Sequence, residues 1–143
     1  MANRVSFEFP MFDTLRKQLE EIGGNALDNA VEKALIESHS YVTKQLENAI
    51  APHNRTGKTA GTIDKVPEVI KAGTEYYTDV GFDIGAGGLP SIFLMYGTQV
   101  HGQPHIAPDK NLFNAIYGAA TKKQVQAIQE LAFFKTIEEV MNK

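Results

Sequence analysis

At 143 residues and 43% apolar content, the chain is long enough to bury one core without covalent staples, and its length predicts a single domain, 1–143. It has no cysteine, which excludes disulfides and thiolate zinc sites and fits a reducing compartment. The net charge of −3 is spread thinly: five bases face eight acids in 1–50, five face six in 51–110, and four face three in 111–143. No basic block is present to grip a nucleic acid. No apolar run approaches 18 residues and no basic-then-apolar leader opens the chain, so neither a membrane span nor secretion is expected.

The chain begins with Val5-Ser6-Phe7-Glu8-Phe9, whose alternation predicts a short strand ended by Pro10. Phe12, Leu15, Leu19 and Ile22 then recur at helical spacing, and Gly23-Gly24 stops that helix. A longer helix is predicted from about Ala26 to Ile50, with Leu27, Ala30, Val31, Ala34, Leu35, Val42, Leu46 and Ile50 as its apolar stripe. Pro52 ends it, because the residue before a proline avoids the helical region.

Between 56 and 98 the charges thin out, and β-branched and aromatic residues gather between glycines. Strands are predicted at Thr59–Val66, Val69–Lys71, Tyr76–Asp83 and Ser91–Tyr96, with Ala72-Gly73-Thr74 as a hairpin turn. Gly85-Ala86-Gly87-Gly88-Leu89-Pro90 reads as a mobile loop, since its glycines carry a high ordering cost. After Pro104 to Pro108 the pattern is helical again. One helix over 109–142 would run to about 50 Å, against a radius of gyration of about 14–15 Å for a chain of this size. The helix therefore breaks near Gly118 or projects toward a neighbour. The fold class read from this order is α+β: N-terminal helices, a central antiparallel sheet of four to five strands with the glycine loop, and a C-terminal helix.

Three motifs invite chemical readings. Gly57-Lys58-Thr59 matches the end of a phosphate-binding loop, and a nucleotide- or anion-binding protein using it is the alternative function. That loop requires a glycine where Pro52 stands, and a helix after it, where a strand is predicted. Gly85 to Gly88 meets no helix N-terminus in register. His101 and His105 have ligand spacing only on a helix, and Pro104 forbids one. No Ser-His-Asp order and no paired carboxylates in apolar surroundings stand out. No catalytic residue, metal or cofactor is expected. The aromatics read mostly as core. Phe133 and Phe134 are neighbours, however, and cannot share one core stripe, so one of them is expected in a subunit contact.

The order of these motifs resembles a known family. A long amphipathic helix ends in Pro52, and Thr56-Gly57 and Thr62-Ile63 follow. Next come Val80-Gly81, the glycine loop, Tyr96-Gly97-Thr98, the turn with Pro104-His105 and Pro108, and a last amphipathic helix. Over about residues 12–142 this resembles the tail-component family of siphophages, the gene-product-ten-like proteins of lambdoid coliphages. These are also labelled minor capsid, head–tail joining or tail completion proteins. Thr59 stands where the family has leucine, and Met95 where it has glutamate. The resemblance implies a structural protein of a phage or prophage that joins head to tail. It would form a homo-oligomeric ring, a hexamer or dodecamer, at the neck or tail top, alone or only on assembly. Its partners would be other neck and tail proteins, with DNA passing through unbound and no membrane involved. It would be found in the virion, and in the host cytoplasm during assembly. Candidate interface residues are Gly85, Gly87 and Gly88 in the loop, Tyr96-Gly97-Thr98, and Phe133 and Phe134.

Overall fold

The computed structural model describes residues 3–5, 17, 26–53, 57–72 and 75–142. In chain order the elements are β1 (Asn3–Val5), α1 (Ala26–Ile50), β2 (Ile70–Ala72), β3 (Glu75–Val80), α2 (Pro90–Tyr96), β4 (Thr98–Val100), β5 (Gln103–Ile106), α3 (Lys110–Tyr117) and α4 (Ala119–Met141). Short 3-10 turns occupy Ala51–His53 and Ala60–Thr62, and a wide turn occupies Ile84–Gly88. The protein is a mixed helix-and-strand structure. All but Lys17 of the helix predicted over 12–22, and all but Val5 of the strand predicted from Val5 to Phe9, lie outside the described residues.

Helix α1 follows its apolar stripe. Ala30, Val31, Ala34, Leu35, Val42, Leu46 and Ile50 are all buried. Asp28 in its first turn suits the positive end of the helix dipole. It also accepts hydrogen bonds from the Tyr76 hydroxyl and, at 3.4 Å, from Lys71 Nζ, which ties the helix start to β2 and β3.

Helix α4 packs antiparallel along α1, because Val125 joins Val42, Leu46 and Ile50 in one apolar cluster while Ala132 and Phe133 join Ala30 to Leu35 in another. A buried polar layer lies between the two clusters: Ser38, His39 and Thr43 on α1, with Gln129 at the same level of α4. Gly118 divides α3 from α4. Its backbone is extended (φ −69°, ψ 149°), and a Cβ there would meet Asn114 O at 2.6 Å. The long C-terminal helix is thus broken where the sequence allows.

The strands differ from expectation. In place of one central sheet of four to five strands, the described residues form a three-stranded antiparallel sheet, ordered β1-β3-β2, and a separate β4–β5 ribbon. Strands β2 and β3 lie where predicted, with Ile70 opposite Tyr77 and Ala72 opposite Glu75. The strand expected over 59–66 is reduced to one bridge, Ile63 to Phe82. Here Gly57 (φ 75°) turns the chain, and Thr62 Oγ1 donates to Thr59 O at 2.7 Å to hold the 3-10 turn.

The strand expected over 91–96 is helix α2. Pro90 opens it, where a proline's fixed φ favours a helix start. Ser91 Oγ donates to Gly88 O at 2.6 Å, and Met95 turns inward to the cluster holding Leu46 and Ile116.

Candidate functional site

Helix α2 is not amphipathic, because it carries apolar side chains on both its buried and its exposed side. Met95 faces the core at 4% exposure. Leu89, Ile92, Phe93 and Tyr96, spaced three or four apart, form a second stripe that faces water, with Tyr96 58% exposed. The Tyr96 ring meets Phe113 edge-on at 5.7 Å, and Phe113 lies 5.1 Å from Tyr117. Burial, with Tyr96 close by, pushes the Tyr117 hydroxyl up.

Gly97 then turns the chain directly into the ribbon. Its φ is 75°, and a Cβ would stand 2.6 Å from Ile106 O, so only glycine fits this joint. At the tip of the ribbon, His101 (φ 51°) and Gly102 (φ 78°) both have positive φ, the pattern of a two-residue type I′ hairpin. Among the described residues, no helix or other strand packs closely on the ribbon. Residues 99–103 and 105–108 are exposed, so β4 and β5 project as an arm. Thr98 and Val100 share one face of the arm by alternation, and Ile106 joins them by pairing with Thr98. Val100 and Ile106 are apolar and exposed, whereas Thr98 Oγ1 is buried with no hydrogen-bond partner.

The base of the arm is anchored at Asp109. Its N–H donates to Leu94 O at 2.7 Å. Its carboxylate caps α3, accepting from Asn111 N at 2.9 Å and Leu112 N at 3.1 Å. Oδ2 lies 2.5 Å from His53 Nε2, which fastens the end of α1 to the start of α3. The His53 hydrogen bond, helped by the two backbone N–H groups, holds the Asp109 carboxyl below the usual carboxylate range, against the opposing effect of burial.

From Ile84 to Pro108 the chain has no Asp, Glu, Lys or Arg across 25 residues, although 22% of the whole chain is charged. The depletion coincides with α2 and the arm. Charge depletion is a feature of the centres of protein–protein interfaces, and the run's two aromatics, Phe93 and Tyr96, are both exposed. This run is legible in the sequence and is the signal that motif reading passes over.

Of the expected interface residues, Tyr96, Gly97 and Thr98 fall together at the joint between α2 and the arm. Phe133 is core, at 2% exposure, while Phe134 is 42% exposed on a different face of α4. Gly85, Gly87 and Gly88 lie in the turn that leads into α2, closed by hydrogen bonds to Asp83.

That turn meets the Gly57-Lys58 segment across an open recess of about 660 Å³. The two segments singled out for anion binding are therefore adjacent. Their chemistry suits an anion poorly. Asp64 and Asp83 line the recess beside Lys58. The N–H groups of Ala86 and Gly88 already donate to Asp83, at 3.1 Å to its carboxylate and 2.8 Å to its carbonyl oxygen respectively. His101 sits at the arm tip and His105 on β5. Among the described residues no group of three or more His, Asp or Glu side chains is arranged to hold a metal. Among them, too, no helix is long and apolar enough to cross a membrane.

Comparison of the chain with protein-family models, with curated proteins and with solved structures finds no match.

Proposed function

We propose that this chain is a structural assembly protein of a tailed phage or prophage, of the head–tail joining or tail completion type. It acts by forming a ring at the neck or tail top and docking to other neck and tail proteins. The observation that carries this reading is the exposed apolar face of α2 together with a projecting arm that has no Asp, Glu, Lys or Arg and exposes Val100 and Ile106. A two-stranded ribbon alone in water is marginally stable. An arm with Val100 and Ile106 exposed is useful when it lies against another protein. The order of motifs along the chain points to which kind of assembly. The thin negative charge supports it as well, since a ring that DNA slides through should not hold phosphates.

The test is assembly in the phage or prophage that carries the gene. Charges placed on the arm, as Val100→Glu with Ile106→Lys, should leave filled heads and separate tails in the lysate, seen by electron microscopy. Normal yields of joined virions from that variant would overturn the reading.

A further inference from the structure

Helix α4 carries a second exposed stripe. Ala120, Gln124, Ala127, Leu131 and Phe134 follow one another at alternating spacings of four and three, and all are exposed. This is the spacing of a helix seam that packs against another helix. None of the five is charged. Leu131 is 68% exposed, although its neighbour Ala132 is buried.

The Leu131–Phe134 part of this stripe lies beside the end of the core where Phe133 meets Ala30 to Leu35. The α2 stripe lies beside the other end, where Met95 meets Val42, Leu46 and Ile50. Along α1 these ends are about 20 Å apart at 1.5 Å per residue. One copy cannot cover its own α2 stripe with its own Leu131 and Phe134, which both stand exposed.

We infer that the α2–arm surface of one copy seats the Ala127-Leu131-Phe134 ridge of the next, head to tail. This rests on the ring reading above and names the two faces that form the ring. Size supports it. At ~150–250 Å² per aromatic side chain, Phe93 and Tyr96 alone leave about 200 Å² in water. With the exposed aliphatic side chains of α2 and the arm, the patch is on the order of 500 Å², at the upper end of what a monomer carries. That is most of the ~800 Å² that one side of a stable pair needs.

Charge supports it too. The α2 face has no Asp, Glu, Lys or Arg to neutralise a partner's charge, the histidines of the 84–108 run, His101 and His105, being out on the arm, and a buried unpaired charge is strongly destabilising. The partner must be uncharged where it touches, as the α4 stripe is. The lengths also match: Leu89 to Tyr96 and Ala127 to Phe134 each span seven positions, about 10.5 Å of helix. Two different faces meeting leave one of each free at the ends, so the contact propagates until it closes.

The absence of cysteine makes the test clean. One variant carries Tyr96→Cys with Leu131→Cys, and a second carries Phe93→Cys with Phe134→Cys. All four positions are exposed, and a thermal melt checks that each variant folds. Mild oxidation should give a ladder of covalent multimers on a non-reducing gel. Mixing the matching single variants should stop at dimers, and each single variant alone should stay monomeric. Dimers from a single variant alone would show like faces meeting and overturn the inference. So would a ring of the unsubstituted chain with no ladder from either double variant, which would leave the proposed function standing. A chain that stays monomeric with and without neck proteins would overturn both.

Discussion

Phe133 and Phe134 are adjacent in the chain and lie on different faces of α4, one 2% and the other 42% exposed. A helix advances about 100° per residue, so neighbouring side chains cannot share a narrow stripe. Phe133 closes the cluster around Ala34 and Leu35, and Phe134 belongs to the outward ridge. Phe133→Ala should cost about 3–5 kcal/mol, the range for emptying a buried aromatic site. Phe134→Ala should change stability by less than about 1 kcal/mol, as exposed substitutions do, yet weaken self-association. Urea unfolding and light scattering of both variants separate the two effects.

His39 is buried at 1% exposure, its Nδ1 is 3.4 Å from Thr43 Oγ1, and its Nε2 has no partner. Burial pushes the imidazole below its ordinary value, and the opposing pull of Asp64 is smaller. The unfolded chain therefore takes up a proton at a pH where the folded chain does not. Stability should fall as pH drops below about 6.5, with a slope approaching ~1.4 kcal/mol per pH unit for one proton. His39→Leu should flatten the curve between pH 7 and 5, read by denaturant titration at each pH.

Asp109 combines a helix cap with the His53 contact. Asp109→Ala should cost about 0.5–2 kcal/mol from the cap alone. Its folded carboxyl is held below the usual range, so its contribution is complete above about pH 4 and is lost as pH falls through the folded value. Acid titrations of wild type and variant should converge at the low end of the pH range.

Gly97→Ala places a methyl group 2.6 Å from Ile106 O at a positive φ. The strain is on the order of 1–3 kcal/mol and falls on the joint between α2 and the arm. Amide exchange should rise in residues 98–106 while the α1–α4 core keeps its protection.

The recess at Lys58 should bind no polyphosphate, because two carboxylates line it beside one lysine and the Ala86 and Gly88 N–H groups already donate to Asp83. Calorimetry with millimolar nucleotide should give no heat of binding for wild type or for Lys58→Ala.

Helix α1 was legible over 26–50 because its stripe is one-sided and Pro52 punctuates its end. The break at Gly118 was one of the two outcomes the sequence allowed, the other being a single helix that overhangs the domain toward a neighbour. Strands β2 and β3 showed through their β-branched and aromatic residues. Helix α2 did not show itself. With Met95 facing in and Ile92, Phe93 and Tyr96 facing out, it has no polar side to reveal a period of 3.6, and a short run apolar all round reads equally well as a buried strand. The feature that hid the helix is the outward apolar face assigned to docking. Gly97 was legible as a stop. Its role at the base of a projecting arm depends on how close Ile106 comes, which a sequence does not state.

The most direct measurement is native mass spectrometry of the full chain at rising concentration, alone and with the neck and tail proteins encoded beside it. The proposed function predicts a closed ring of one fixed copy number, six or twelve, in at least one of these conditions. A strict monomer in both would contradict it.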